Sequence, residues 1–191
     1  MPNFTKNAIK QAFIRLLDER PLKQITVKDI VEECGINRNS FYYHFADIPS
    51  LTEEIIMEEA TQIIESYPNI DSIETCLTAL TEFAHQNKRA IFHIYHSVNR
   101  EMYEHYLWEV CEAVVTTYVD TLLRTHPISG DDRRVIIQFY KCTFFGLTTE
   151  WIRTGMHAEI EQDLHRIFEM RKGIAEEVIA RCEKNSAASD T

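Results

Sequence analysis

Hydrophobic residues recur every three or four positions along most of this chain, which is the spacing of amphipathic helices. The pattern predicts about nine helices: one from a Thr5 cap to about Glu19, and others over about 26–34, 37–45, 47–66, 71–87, 89–98, 100–124, 131–153 and 158–184. No segment shows the alternation typical of a strand. The predicted fold class is therefore all-α, with a small three-helix domain followed by a larger helical one.

The segment from Thr26 to Phe45 predicts two short helices joined by a tight turn. Thr26 is a suitable N-cap for the first helix, and Gly35 ends it because glycine adopts positive φ without strain. Asn37 is a suitable N-cap for the second helix. The apolar positions that face a common core are Val27, Ile30, Val31, Cys34, Phe41 and Phe45. This layout is that of a helix-turn-helix, although the spacing alone also fits any amphipathic helix pair with a glycine turn.

The outward positions of the second helix carry hydrogen-bond donors and rings. They are Arg38, Asn39, Ser40, Tyr42, Tyr43 and His44. Arginine can bind guanine and asparagine can bind adenine in the major groove, and hydroxyl groups suit phosphate oxygens. The composition of this helix therefore favours a DNA-reading role.

This segment resembles the DNA-binding signature of TetR/AcrR-type transcriptional regulators. The residues that carry the resemblance are Thr26, Val27, Asp29, Ile30, Gly35, Ile36, Arg38, Phe41, Tyr42, His44 and Phe45, and the helices on either side extend it over the first quarter to third of the chain. The resemblance implies DNA contacts from Thr26, Lys28, Arg38, Asn39, Ser40, Tyr42, Tyr43 and His44, with Tyr42 against phosphate. One position departs from the family pattern. Where members often have a phosphate-binding lysine at the start of the fourth helix, this chain has Ile48 followed by Pro49.

The charge of the chain is unevenly distributed. The net charge is −10, but residues 1–50 hold seven Lys or Arg against six Asp or Glu, so the acidic excess lies in the remaining residues. Phosphate repels that acidic part, which favours DNA binding through the N-terminal quarter. With few cations per subunit, we expect two copies of the chain to be needed on DNA.

The predicted eighth helix is apolar on more than one face. One face can pack on its own domain and the other on a second subunit, together with the ninth helix. A central helix buried wholly within one subunit is the alternative. The resemblance implies a two-fold, self-complementary four-helix interface, which we expect to include Phe144, Phe145, Gly146, Trp151, Leu164 and Phe168.

The middle helices are rich in ring side chains. In the resembled family a cavity between these helices binds a small effector, and aromatic walls suit such a site. The candidate pocket residues are Phe83, Phe92, Tyr95, His96, Tyr103, Tyr106, Trp108 and Tyr118, although each ring can also be a core filler. His93 and His96 are spaced to share a metal ion with Glu101, Glu104 or His105, but isolated helical histidine pairs usually have structural roles, so we expect no metal and no other cofactor.

These observations predict a cytoplasmic, ligand-responsive repressor that binds a palindromic operator as a homodimer. The predicted organisation is a DNA-binding domain over 1–47, an effector-binding and dimerisation domain over 48–185 and a disordered tail over 186–191. One alternative is a regulator-like protein whose C-terminal domain binds a protein partner, or an activator without a small effector. A helical enzyme is a third hypothesis, but the sequence lacks a recognisable nucleophile-base pair, metal cluster or glycine-rich phosphate loop, so we expect no enzyme.

Overall fold

The computed structural model of the chain describes residues 2–67, 73–96, 100–124, 126, 128–170 and 173–189. These residues form α-helices and one short 3₁₀ helix, with no strand among them, which confirms the all-α fold class. The elements are α1 (Pro2–Glu19), the 3₁₀ helix (Leu22–Gln24), α2 (Val27–Cys34), α3 (Arg38–His44), α4 (Ile48–Ser66), α5 (Ile73–Gln86), α6 (Lys88–Tyr95), α7 (Arg100–Leu123), α8 (Gly130–Arg153), α9 (Ala158–Met170) and α10 (Ile174–Ser189).

The main difference from the sequence prediction lies at the C-terminal end. The single helix predicted over 158–184 is two helices, α9 and α10, because Gly173 lies between them with φ of 86°. A residue in the left-handed region interrupts the helical backbone, and glycine does so without steric cost. Helix α10 also continues through residues 186–189, where we predicted a disordered tail. Helix α1 begins at Pro2 rather than after a Thr5 cap.

The chain divides into two compact units. The first unit comprises Met1–Gln62 and Leu80–Leu107, and the second comprises Ile63–Ala79 and Trp108–Thr191. Helices α4, α5 and α7 therefore each contribute residues to both units. The functional boundary predicted after residue 47 stays a prediction.

Each unit has its own apolar core. In the first unit the core side chains come from α1, α2, α3 and the start of α4: Ile9, Ala12, Phe13, Leu16, Leu17, Ile30, Val31, Phe41, Phe45 and Leu51. In the second unit Val115 and Val119 of α7 pack with Ile137 of α8, and half-buried neighbours surround them. Burial of these side chains from water supplies the main favourable free energy of both units.

Two ion pairs join α7 to α8 in the second unit. The guanidinium of Arg133 donates two parallel hydrogen bonds to the carboxylate of Asp120, at 2.7 and 2.8 Å. The ammonium of Lys141 lies 2.6 Å from Glu112 Oε2 and 4.3 Å from the centre of the Trp108 ring. Lys141 is buried, whereas the side chain of Glu112 is 47% exposed. The Lys141 charge thus depends on Glu112 and Trp108 for compensation.

We expect Glu112→Ala to lower the free energy of unfolding by about 1–3 kcal/mol, because it leaves a buried ammonium without its carboxylate. Lys141→Met is the matched control, since it keeps the apolar stem and removes the charge, and the double variant should be more stable than Glu112→Ala alone. Urea unfolding followed by circular dichroism measures all three. Equal stability of Glu112→Ala and the double variant would show that the unpaired charge is not the cause.

Candidate functional site

The α2–α3 segment is organised by local caps. Thr26 Oγ1 accepts a hydrogen bond from the Asp29 amide at 3.3 Å, and the Thr26 amide donates to Asp29 Oδ2 at 2.8 Å. Gly35 ends α2 with φ of 68° and ψ of 31°. Asn37 Oδ1 accepts from the Ser40 amide at 2.8 Å and so caps α3. These contacts confirm the predicted caps and the predicted glycine turn.

The inner side of this segment is buried as the apolar spacing predicts. Ile30 and Phe41 are fully buried, and Val31 and Phe45 are nearly so. Cys34 is half-buried, with its thiol 3.5 Å from the carbonyl oxygen of Ala8 in α1. The three helices α1, α2 and α3 therefore share one core, which fixes the direction in which the outer face of α3 points.

The outer face carries the side chains expected to read DNA. Arg38, Asn39 and Lys28 are exposed, and Tyr42 and Tyr43 are 55% and 80% exposed. His44 is half-buried, and its ring meets that of Tyr43 edge-on at 5.0 Å. An exposed large ring normally costs free energy in water. Two adjacent exposed tyrosines on one short helix make this face a candidate binding surface.

Two of the predicted contact residues already use their hydroxyl protons. Thr26 Oγ1 donates to Asp29 Oδ2 at 2.5 Å, and Ser40 Oγ lies 3.2 Å from Asn37 Oδ1 as a donor. The hydrogen bonds from Thr26 also lower the pKa of Asp29, which keeps that carboxylate ionised. A phosphate oxygen only accepts hydrogen bonds. These two hydroxyls can therefore donate to phosphate only if their present hydrogen bonds within the caps are broken.

Most cations of the first fifty residues are paired within the chain. The pairs are Lys6 with Glu54 (2.7 Å), Lys10 with Glu54 (2.6 Å) and Glu58, Arg15 with Glu33 (3.0 Å), Arg20 with Asp29 (3.2 Å) and Lys28 with Glu32 (3.6 Å). Within the part of the chain that the structure describes, Arg38 and Lys23 are the basic residues of this region without such a pair. The unpaired positive charge is thus smaller than the sequence count indicates, and one of the two cations lies on α3.

The start of α4 carries an acidic cap. Asp47 Oδ1 accepts from the Ser50 amide at 2.8 Å, and Ser50 Oγ accepts from the Asp47 amide at 3.1 Å. Ile48, at the position where the resembled family often has lysine, is half-buried. The exposed Asp47 carboxylate therefore occupies the helix end where a phosphate would otherwise find free amides.

The eight candidate pocket residues are divided between the two units. Phe83, Phe92, Tyr95, His96, Tyr103 and Tyr106 belong to the first unit, and Trp108 and Tyr118 belong to the second. Of these, Tyr95, Tyr103, Tyr106 and Tyr118 are buried, His96 is exposed, and the remaining three are half-buried.

Several of these rings have structural partners. The Tyr106 hydroxyl donates to the carbonyl oxygen of Pro49 at 2.9 Å, and the Tyr118 hydroxyl donates to that of Tyr67 at 2.5 Å. Burial raises the pKa of Tyr106 to about 12, so its hydroxyl stays a donor at every physiological pH. Tyr106 and Tyr118 thus join α7 to the two ends of the α4 segment, a role that the sequence analysis missed.

The candidate dimer residues have different environments. Trp151 is 5% exposed and therefore belongs to the core of its own unit, which was not the role that we predicted for it. Phe144 and Phe145 are half-buried, with Phe145 edge-on to Trp108 at 5.2 Å, and Gly146 is exposed. The side chains of Leu164 and Phe168 lie outside the described residues.

Helix α8 nevertheless has an exposed apolar face. Val135 and Phe139 are 56% and 59% exposed, and Cys142 and Gly146 continue the same face at helical spacing. We call these four residues the α8 face. A Cβ atom added at Gly146 would meet nothing within 4 Å in this chain. Of these four residues, Gly146 alone is among the candidate dimer residues given by the sequence.

The two histidines of the candidate metal site make other contacts. His93 Nδ1 lies 2.5 Å from the carbonyl oxygen of Leu17, and the His96 ring stacks on Phe92 at 5.8 Å. Across the described residues, no three His, Cys, Asp or Glu side chains are grouped as metal ligands. None of the helices in the described residues combines the length and the hydrophobicity that a bilayer crossing requires.

Comparison with family models gives two matches. Residues 9–55 match the model described as bacterial regulatory proteins of the tetR family, and residues 71–173 match a model of a transcriptional regulator C-terminal region. Among curated proteins, the uncharacterized HTH-type transcriptional regulator YxbF of Bacillus subtilis (strain 168) is 29% identical over 77 residues. That match covers 38% of this chain and only 20% of the YxbF chain.

Solved structures share the fold at low sequence identity. The dihydroxyacetone kinase operon activator DhaS has a TM-score of 0.67 and 20% identity, covering 88% of this chain and 96% of its own. GusR of Salmonella enterica has a TM-score of 0.56 and 15% identity, covering 85% and 92%. NalD of Pseudomonas aeruginosa, described as the secondary repressor of the MexAB-OprM multidrug efflux pump, has a TM-score of 0.54 and 18% identity, covering 88% and 95%.

Proposed function

Because this chain belongs to the tetR family of bacterial transcriptional regulators, we propose that it binds a palindromic DNA operator as a homodimer and releases it in response to a small effector. The observation that carries this proposal is the outer face of α3. On that face four side chains are exposed to solvent: Arg38, Asn39, Tyr42 and Tyr43. The other side of the helix is buried in the core that α1, α2 and α3 share. A rigid helix with exposed donors suits insertion into the major groove.

The roles of the α3 side chains follow from their chemistry. Arg38 is exposed and has no carboxylate partner in the described chain, so its guanidinium is available to guanine O6 and N7. Asn39 suits adenine, and the hydroxyls of Tyr42 and Tyr43 suit phosphate oxygens. Lys28, His44, Thr26 and Ser40 are supporting contacts, the last two after rearrangement of their caps.

Dimerisation supplies the affinity that one copy lacks. The α8 face exposes two large apolar side chains beside an exposed glycine, which suits close approach of a second α8. A two-fold interface would repeat this face on both subunits and set two α3 helices at neighbouring grooves. Binding of both subunits to one duplex then compensates for the few unpaired cations of each DNA-binding domain.

The effector and the sign of regulation form the finer part of the proposal. Rings in α5 to α7 suit a small apolar effector with a few polar groups, and a ligand that binds one arrangement of these helices better shifts operator affinity by its differential free energy. We propose repression, as in NalD. Activation is the second candidate, since DhaS, with a TM-score of 0.67, is an operon activator by name.

Selection of random duplexes on the purified protein tests the proposal directly. We expect enrichment of a palindrome whose half-sites are about one DNA turn apart, or a multiple of it. Placing the selected site upstream of or within a reporter promoter then separates activation from repression. Recovery of no common sequence at low salt would contradict the proposed function.

We expect Ile48→Lys to strengthen binding to operator and random duplex alike, because it adds a cation beside the acidic cap of α4. The slope of log affinity against log salt concentration should steepen by about 0.9 for each phosphate contact that a subunit gains. Thr75→Lys, at an exposed position of α5 in the other unit, is the charge-matched control and should leave the slope unchanged. An unchanged slope for Ile48→Lys would place the α4 start away from DNA.

A further inference from the structure

The compact unit that contains the DNA-binding helices extends beyond them in sequence. Residues 80–107, which include all of α6 and the start of α7, belong to the same unit as residues 1–62. Two side-chain hydrogen bonds connect this later segment to the DNA-binding helices across 76 and 57 positions of sequence. Both bonds end on backbone carbonyl oxygens, so they fix the helices themselves rather than particular side chains.

The first of these bonds holds the end of α1. The last four carbonyl groups of a helix have no partner within it, and Leu17 lies two residues before the last residue of α1. His93 Nδ1 lies 2.5 Å from the Leu17 oxygen. Because a carbonyl oxygen only accepts, His93 Nδ1 is the donor in this hydrogen bond. His93 of α6 therefore caps α1 from another helix.

The second bond holds the start of α4. The Tyr106 hydroxyl, on a side chain that is 3% exposed, donates to the Pro49 carbonyl oxygen at 2.9 Å. Pro49 lies five positions after the end of α3, next to the Asp47–Ser50 cap. A rotation of the first turn of α4 would change the geometry of this bond, and only three residues separate that turn from α3. Ion pairs from Lys6 and Lys10 to Glu54 join α1 to the same helix.

We propose that His93 and Tyr106 are positioning residues for operator binding, which hold α1 and α4 at one orientation and so restrict the half-site spacing that the dimer accepts. This inference rests on the proposed operator function. His93 lies in α6 and Tyr106 in α7, so neither is part of the outer face of α3. An effector that displaces α6 or α7 would act on the DNA-binding helices through these two hydrogen bonds.

The test uses the selected operator with its half-sites moved apart or together by one to three base pairs, and a duplex with a single half-site. For Tyr106→Phe and His93→Leu we expect the ratio between the best and the next-best spacing to fall roughly three- to tenfold, the effect of one net hydrogen bond. The affinity for the single half-site should stay within about twofold, since no DNA contact is removed.

Matched variants separate positioning from stability. His93→Asn keeps a donor near the Nδ1 position and should restore the spacing preference. Tyr67→Phe removes a hydroxyl for which the described residues show no hydrogen bond and should leave the preference unchanged. A variant that is merely less stable binds all duplexes less in the same proportion. An unchanged spacing ratio, or an equal loss on every duplex, would overturn this inference, whereas absence of any preferred duplex for the wild type would overturn the proposed function instead.

Discussion

Phe139→Glu is expected to convert the dimer to a folded monomer and to abolish tight operator binding. Phe139 is 59% exposed in the chain, so a glutamate there meets water in the monomer and costs little. In a two-fold interface the same change buries two like charges against an apolar surface. We expect operator affinity to fall roughly 10²- to 10⁴-fold, because the two DNA-binding domains no longer bind as one linked pair.

Sedimentation and thiol labelling measure this outcome independently. Cys142 lies on the α8 face and is the one exposed thiol of the five, since Cys76 and Cys111 are buried and Cys34 and Cys182 are half-buried. A maleimide should therefore react slowly with Cys142 in the wild-type dimer and quickly in Phe139→Glu. Thr75→Glu adds the same charge at an exposed position on α5 and should change neither result.

A dimer that survives Phe139→Glu, or one whose Cys142 reacts as fast as a free thiol, would place the interface elsewhere. An unfolded variant, recognised by loss of helical circular dichroism, would show instead that Phe139 contributes to the core of its own unit. Phe139→Ala then distinguishes the two, because a small side chain on an exposed position leaves the fold intact and still weakens an apolar interface.

The helix-turn-helix could be predicted from sequence because its determinants are local. The caps at Thr26 and Asn37 and the turn at Gly35 each act within three or four residues, so the residue types specify the geometry. The buried positions of Ile30 and Phe41 follow from helical spacing in the same way. The ion pairs of this region could not be predicted in the same way, because partners such as Glu54 and Glu58 lie more than forty residues from Lys10.

The roles of α7 and α8 could not be predicted in the same manner. Helix α8 is apolar on several faces, so its spacing does not tell that Trp151 faces the core and Phe139 faces solvent. The hydroxyls of Tyr106 and Tyr118 meet backbone carbonyls 57 and 51 positions away, and backbone acceptors leave no trace in the sequence. Both rings remain candidate pocket residues, and these hydrogen bonds are an additional role. Composition shows that a helix is crowded with rings, but tertiary contacts decide what each ring does.

Arg38→Ala is expected to lower operator affinity by about 1–3 kcal/mol per half-site and to relax the preference at one base position. Arg38 is the exposed arginine of α3, and no carboxylate of the described chain neutralises it. A guanidinium forked onto guanine contributes to one base pair, whereas a phosphate contact contributes equally to all sequences. Titration of the selected operator and its single-base variants at fixed salt distinguishes the two.

Arg15→Ala is the matched control for this prediction, since it removes another exposed arginine, one that is already paired with Glu33 at 3.0 Å. It should change operator affinity by less than about twofold, because an exposed ion pair contributes little. If Arg38→Ala weakens operator and random duplex in equal proportion, the guanidinium binds phosphate, and the reading of bases falls to Asn39 and its neighbours. If it weakens neither, α3 does not enter the groove by its N-terminal turn, because Arg38 is the first residue of that turn.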